Sequence, residues 1–212
     1  VDFERELESA LPSNLPNRSA VIAIASRHLQ LIADVNEHMN LTRITSPREA
    51  VIKHIVDSVA PWALFEGAAT VMDAGTGAGF PGIPLAVVLP DTRFVLVDST
   101  QKKARFVESA IADLALQNVE VAAERAEDVL RQSRFTLITA RAVAPVERAL
   151  SFFAAGLKAG AHVLLYKGPD VEHELKEAET EAKQRRVRMS VVMRYDLPDS
   201  LGTRTIVRIA AQ

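Results

Sequence analysis

Apolar positions in the first third of the chain recur at helical spacing. Across residues 18–39, RSAVIAIASRHLQLIADVNEHM, the side chains Val21, Ile24, Ala25, Leu29, Ile32 and Val35 fall near one face and predict a long amphipathic helix. A second helix is expected after Pro47. There REAVIKHIVDSVAPWALF groups Val51, Ile55, Val59 and Trp62, and the proline suits a first helical turn. Residues 1–66 therefore read as a helical N-terminal extension, and residues 67–212 as a unit with a different rhythm.

That second rhythm begins near residue 70. TVMDAG and TRFVLVDS are short β-branched runs that end at an acid and lead into helical patterns. Strands are expected again near 119–123, 135–140 and 161–166, and helices near 82–88, 101–115, 145–156 and 171–185. Such alternation implies a parallel sheet covered on both faces. The tail departs from it: RMSVVMRYDLP and TRTIVRIAA are separated only by the turn signal DSLG. They predict a terminal antiparallel hairpin, which brings the sheet to seven strands.

Composition narrows the chemistry. Hydrophobic residues make up 48% and charged residues 25% of the chain, values ordinary for a globular protein. No apolar run is long enough to span a bilayer and the N-terminus lacks a signal-peptide layout, so a cytoplasmic location with no membrane partner is expected. The chain starts at Val1 without a methionine, which fits the trimming of a few residues. It contains no cysteine, which excludes disulfides, thiolate metal sites and a cysteine nucleophile, and no metal is expected. Net charge is −2, with six basic against nine acidic residues in 1–66 and nineteen against eighteen in the rest. This balance argues against a general nucleic-acid coat protein. It leaves an RNA substrate only through a local basic surface or with help from a protein partner.

DAGTGAGFPGIP, Asp73 to Pro84, places four glycines between an expected strand and an expected helix. In an open parallel sheet that is where ligands sit, beyond the carboxyl ends of the strands. The stretch lacks the Gly-Lys-Ser/Thr of a phosphate loop, and Phe80 stands where a dinucleotide fingerprint has its third glycine. Asp73 ends the first strand and Asp98 the second. An acid after strand two typically accepts ribose hydroxyls. One after strand one would repel a pyrophosphate and favour an ammonium or sulfonium group. The implied ligand is a nucleoside with positive charge and no phosphate, which S-adenosylmethionine satisfies, with Asp73, Gly75, Gly77 and Asp98 as its candidate contacts. The plainer alternative is a tight strand–helix connection with no ligand.

DAGTGAGFPGIPL, LVDSTQKKARF, AERAEDV, ARAVAP and YKG, preceded by HMNLTRIT and KHIVDS, occur in the order seen in one family. Over roughly residues 35–210 the chain resembles the bacterial 16S ribosomal RNA guanine-N7 methyltransferases, the GidB or RsmG family. The resemblance implies a class I S-adenosylmethionine-dependent methyltransferase: a Rossmann-like, mostly parallel α/β sheet with a terminal hairpin, plus the N-terminal helices. It also implies methyl transfer to guanine N7 of 16S ribosomal RNA. Near-neutral charge favours RNA presented within the small ribosomal subunit, and a monomer is expected. Matched position by position, Gly75 and Phe80 correspond to cofactor contacts, Asp98 to the ribose-binding acid, and Ala126 and Glu127 to the pair beside the adenine. Arg141 corresponds to an arginine lining both the cofactor and the target pocket; the family's usual serine before it is Ala140 here.

Guanine N7 carries a lone pair and no proton, so an in-line displacement there needs alignment and no general base. Arg141 and Arg125 are the residues expected to assist. His54 and Asp57, three apart on one helix, are candidate substrate contacts. So are Lys102 and Lys103, at the start of the helix after Asp98, and Lys167, at the end of strand five. Each has an ordinary alternative as a helix tie, an ion pair or a solvated charge. Asn40 and Thr42 fall in an inter-helix loop that turn formation explains. The run KQRRVRMS is an RNA-contact candidate whose plainer reading is a solvated helix end. Two other classes stay open: a methyltransferase of a small molecule, or a non-catalytic binder of S-adenosylmethionine and RNA.

Overall fold

A computed structural model describes residues 2–39, 41–44 and 46–212. Asn40, named above as a loop candidate, lies outside the described residues. Seven strands form one sheet: β1 (Thr70–Ala74), β2 (Arg93–Val97), β3 (Val119–Ala122), β4 (Leu137–Arg141), β5 (His162–Lys167), β6 (Val187–Asp196) and β7 (Thr203–Ala211). Their order is β3-β2-β1-β4-β5-β7-β6. The first five are parallel, whereas β7 runs antiparallel to both β5 and β6. The parallel sheet and the terminal hairpin are as the sequence predicts. Strand order reverses between β1 and β4, which opens a crevice at the carboxyl ends of those strands.

Alternation along each strand sorts side chains into two cores, one per face. Val71, Phe94, Leu96, Leu137 and Leu164 pack on one side with α5 (Gly82–Val88) and α6 (Gln101–Asp113). Met72, Val97, Ile138, Val163 and Leu165 pack on the other, with α7 (Ala126–Gln132), α8 (Val146–Phe152), α9 (Ala154–Lys158) and α10 (Val171–Arg185). The first core continues without a break into the N-terminal helices through Leu7, Val21, Leu29 and Ile55.

Those helices are α1 (Phe3–Ala10), α2 (Arg18–Met39), α3 (Pro47–Ala50) and α4 (Asp57–Val59). α1 was not expected from periodicity. It is short, but Asp2 caps it by accepting from Arg5 N–H at 3.0 Å, and Phe3 and Leu7 form its buried face. The single helix expected after Pro47 differs too. Between α3 and α4 the chain takes a π-helical turn over Val51–Val56, in which the Asp57 amide reaches back to Ile52. A 3₁₀ turn over Trp62–Phe65 follows Pro61. Among the described residues, no helix is long and apolar enough to cross a membrane.

Candidate active site

The crevice is built by the turn after β1. Gly75 and Thr76 both donate from the backbone to Val97 O, at 2.8 and 3.0 Å, which folds the turn across the end of β2. Gly75 holds φ +69°, and a Cβ placed there would lie 2.8 Å from Val143 Cγ2. Asp98 fastens the two loops together: its carboxylate accepts from Gly77 N–H at 3.0 Å and Thr100 N–H at 2.8 Å. Asp73 is fully buried, and its Oδ2 accepts from Thr76 Oγ1 at 2.7 Å and Gly82 N–H at 2.9 Å. Burial raises its pKa to about 6, against the opposing effect of those two hydrogen bonds. Asp73 therefore shapes the turn from within and presents no exposed carboxylate to a ligand.

A cleft of about 360 Å³ lies beyond the ends of β1, β2 and β3. Five predicted residues meet in its wall: Gly75, Asp98, Arg125, Ala126 and Glu127. Val143, Arg148 and Phe152 line it as well and were not anticipated. The last two are spaced i,i+4 on α8, with the Arg148 guanidinium 5.5 Å from the Phe152 ring centre. That spacing was the available signal.

Other predicted residues sit behind this cleft. The Phe80 ring turns toward the N-terminal helices, stacked on His54 at 4.6 Å between centres and tilted against His28 at 4.8 Å. Arg141 lies 5.6 Å from the same ring centre, and its Nη1 donates to Lys53 O at 2.9 Å and Asp57 Oδ2 at 3.3 Å. Asp57 also accepts from Arg204 Nε at 3.1 Å and Tyr195 OH at 3.0 Å. His54 Nε2 is 3.0 Å from Thr42 Oγ1. His54, in the π-helical turn, and Asp57, at the start of α4, thus diverge, one to an aromatic stack and the other to an ion cluster. Neither offers an exposed group to a substrate here.

Two lysines are likewise committed. Lys167 Nζ donates to Ala144 O at 3.0 Å and pairs with Glu174 Oε2 at 2.6 Å. Glu174 Oε2 also accepts from Val146 N–H at 2.9 Å, so the pair pins the loop that carries Val143 into the cleft. Lys102 Nζ donates to His38 O at 3.1 Å and ties α6 to the end of α2. Lys103 is half-buried at the start of α6, and Arg125 is exposed at the cleft rim. The basic run from Lys183 closes α10 and opens β6; there Arg185 pairs with Glu181 and Lys183 with Glu179.

The family model for GidB, rRNA small subunit methyltransferase G, matches residues 21–200. The chain belongs to this family. The ribosomal RNA small subunit methyltransferase G of Solibacter usitatus (strain Ellin6076) is 65% identical over 207 residues, which cover 98% of this chain and 99% of that one. Its counterpart in Carboxydothermus hydrogenoformans (strain ATCC BAA-161 / DSM 6008 / Z-2901) is 40% identical, covering 88% and 81%. Among solved structures, the O-methyltransferase from Bacillus cereus in complex with SAH superposes with a TM-score of 0.61 at 22% identity, over 87% of this chain and 90% of that one. TomG from Streptomyces achromogenes, in complex with SAM, gives 0.59 at 18%, over 87% and 89%. The fold is that of the class I S-adenosylmethionine-dependent methyltransferases.

As a member of the rRNA small subunit methyltransferase G family, the chain uses S-adenosylmethionine as its cofactor, and the cleft fits that ligand chemically. Gly75 contributes backbone to the wall, Asp98 and Glu127 offer acceptors to hydroxyl and amino groups, and among the described residues no lysine lines the wall as in a triphosphate site.

Burial dominates the electrostatics behind the cleft. It lowers the pKa of His28 to about 4 and, helped by the Arg141 charge, that of His54 to about 3. Both imidazoles are neutral near pH 7. Unfolding returns them to about 6.5, so between pH 6 and 4 the unfolded chain holds about two more protons at these sites. Asp73 works oppositely and gives the folded state about one extra proton over the same window. The net difference predicts that unfolding free energy falls by about 1 kcal/mol per pH unit from pH 6 to 4. Urea unfolding at pH 7, 5.5 and 4.5 checks this; stability that holds or rises on acidification would refute it.

Proposed function

We propose that this methyltransferase modifies N7 of a guanine in 16S ribosomal RNA, and that it reads the base within the small ribosomal subunit. Gly75, Asp98, Ala126 and Glu127 hold the cofactor in the cleft, with Asp98 on the ribose. When bound, S-adenosylmethionine supplies a methyl group on a sulfonium sulfur for in-line displacement. The observation that carries the reading is that the imidazoles and the carboxylate behind that cleft are committed elsewhere, His28 to Ala78 O, His54 to Phe80 and Thr42, and Asp57 to Arg141. Guanine N7 needs no proton removed. Methylation of an amine or a hydroxyl would call for a base, and methylation at pyrimidine C5 for a cysteine that the chain lacks.

What the chain's residues then do is align and enclose. Arg141, anchored by Asp57 and Lys53, backs the Phe80 ring and fixes the floor between cofactor and target. Arg125 and Lys103 are the cations placed to meet RNA phosphate. Residues 1–66 form the extension that closes the target side, and residues 67–212 the methyltransferase unit. The net charge of −2 gives naked RNA little electrostatic attraction, which favours a substrate shaped by ribosomal proteins. We assign a monomer.

The test is transfer of labelled methyl from S-adenosylmethionine to small subunits lacking their 7-methylguanosine, alongside protein-free 16S RNA. Label recovered as 7-methylguanosine from subunits, at least about tenfold above naked RNA, is the expected result. Label in another nucleoside would overturn the N7 assignment. Equal labelling of naked RNA would overturn the preference for the assembled particle.

A further inference from the structure

We infer that His28, in the N-terminal helix α2, is a positioning residue for the cofactor: it holds the glycine-rich turn in its binding shape through the carbonyl of Ala78. The inference rests on reading that turn as the cofactor cradle.

The His28 side chain is fully buried, and its Nε2 lies 2.8 Å from Ala78 O. A carbonyl only accepts, so Nε2 carries the proton and donates it. Its other ring nitrogen, Nδ1, is buried with no hydrogen-bond partner. An orphaned buried acceptor costs stability, and an apolar residue would fill the same space without that cost. Packing alone therefore does not account for a histidine at this position.

The anchored atom belongs to the most pliable part of the cradle. Ala78 lies between Gly77 and Gly79, which hold φ +64° and +99°. Glycines at such angles impose no side-chain restraint of their own, so beyond the bonds from Gly79 and Phe80 N–H to Thr76 O, contacts from outside the turn help select the conformation. At Gly77 and Ala78 two such contacts act from opposite directions. Asp98 takes the Gly77 amide from the sheet side, and His28 gives a proton to the Ala78 carbonyl from the helical side. The His28 ring also lies against Phe80, 4.8 Å between centres, and Phe80 is in turn stacked on His54. The extension thus acts on the cofactor turn directly, 50 residues ahead of it in sequence.

Population arithmetic sets the consequence. If the cofactor binds only the ordered turn, apparent affinity falls in proportion to the ordered fraction. Losing the His28 anchor on a glycine-rich segment should lower that fraction by about tenfold.

Two variants isolate the donor. His28→Leu and His28→Gln both remove the ring, and only the glutamine amide keeps an N–H near the position of Nε2. Dissociation constants for S-adenosylmethionine by titration calorimetry should rise about tenfold for H28L and less than about threefold for H28Q. The melting temperature of H28L should be no lower than that of H28Q, because leucine buries no unpaired amide. Wild-type affinity in H28L, or equal losses in both variants, would overturn the inference. Gly75→Val, measured alongside, separates it from the reading beneath it. Normal binding by G75V would sink the cradle, whereas loss in G75V with none in H28L sinks only the role of His28. Should H28L fail to fold, ¹⁵N resonances of the wild-type His28 ring decide. An Nε2–H signal that shifts on cofactor addition supports the anchor, and one that does not move overturns it.

Discussion

Alanine at Asp57 is expected to lower the unfolding free energy by about 3 kcal/mol, without changing the slope of the urea transition. The carboxylate is 1% exposed and accepts from two guanidiniums, Arg141 and Arg204, as well as from Tyr195. These partners come from separate parts of the chain. Arg141 ends β4, Tyr195 lies on β6 and Arg204 on β7, whereas Asp57 follows the π-helical turn. Removing the carboxylate leaves two like charges facing each other where their shared counter-ion had been. Cutting one partner from a buried pair usually costs 3–5 kcal/mol, and we take the lower end because the arginine side chains are 17% and 26% exposed and regain some water. Asp57→Asn keeps the shape and one acceptor oxygen and should cost about 1–2 kcal/mol. A loss below about 1 kcal/mol in the alanine variant would mean that both arginines resolvate freely and that the cluster does not join these elements.

The elements that sequence pattern describes best are those whose ends carry local chemistry. α5 and α10 begin and end where the pattern places them, over 82–88 and 171–185. β6 and β7 pair antiparallel as the short DSLG connection implies, with a 3₁₀ turn over Pro198–Ser200 between them. The helix expected over 145–156 is instead two, α8 and α9, broken at Phe153. Its run ALSFFAAGL is apolar apart from Ser151, so periodicity contains no mark of the break, and Phe153, 1% exposed, is where it falls.

At the site, the backbone features were legible and the side-chain directions were not. Gly75, Asp98, Ala126 and Glu127 gather in the cleft because strand ends in a parallel sheet converge there. Arg141 and Lys167 also end parallel strands, yet their heads go to partners that the strand pattern does not reveal: Asp57, 84 positions earlier, and Glu174 on the helix that follows β5. Phe80 is the same case. Its place in the motif is plain, but only the tertiary structure shows its ring between two histidines from α2 and the π-helical turn. His28 looks from sequence like one polar position on a long amphipathic helix.

Valine at Gly75 should abolish detectable methyl transfer and weaken cofactor binding by about 100-fold or more, while costing only about 1–3 kcal/mol of stability. Two independent effects act at this position. The backbone holds φ +69°, a region that a β-branched residue adopts at a cost of the order of 1–2 kcal/mol. The added Cβ would also meet Val143 Cγ2 at 2.8 Å, inside the distance that real contacts allow. Relief of that clash requires Val143 to move, and Val143 is 40% exposed on a turn whose neighbour Ala142 itself holds φ +56°. The turn is pinned by Arg141 on one side and by Lys167 and Glu174 on the other, so displacement deforms the cleft wall instead of leaving it. Stability suffers less than function because the strain falls at a rim beside the core. Gly75→Ala shares the backbone penalty without the branched atoms and should lose about tenfold in affinity. Calorimetric titration with S-adenosylmethionine, beside urea unfolding of the same samples, separates the two quantities. Near-native affinity in G75V would place the cofactor elsewhere and leave the glycine as a turn residue alone. Lost affinity in a stably folded variant places the cofactor against the cleft wall where the β1 turn and the Val143 loop touch.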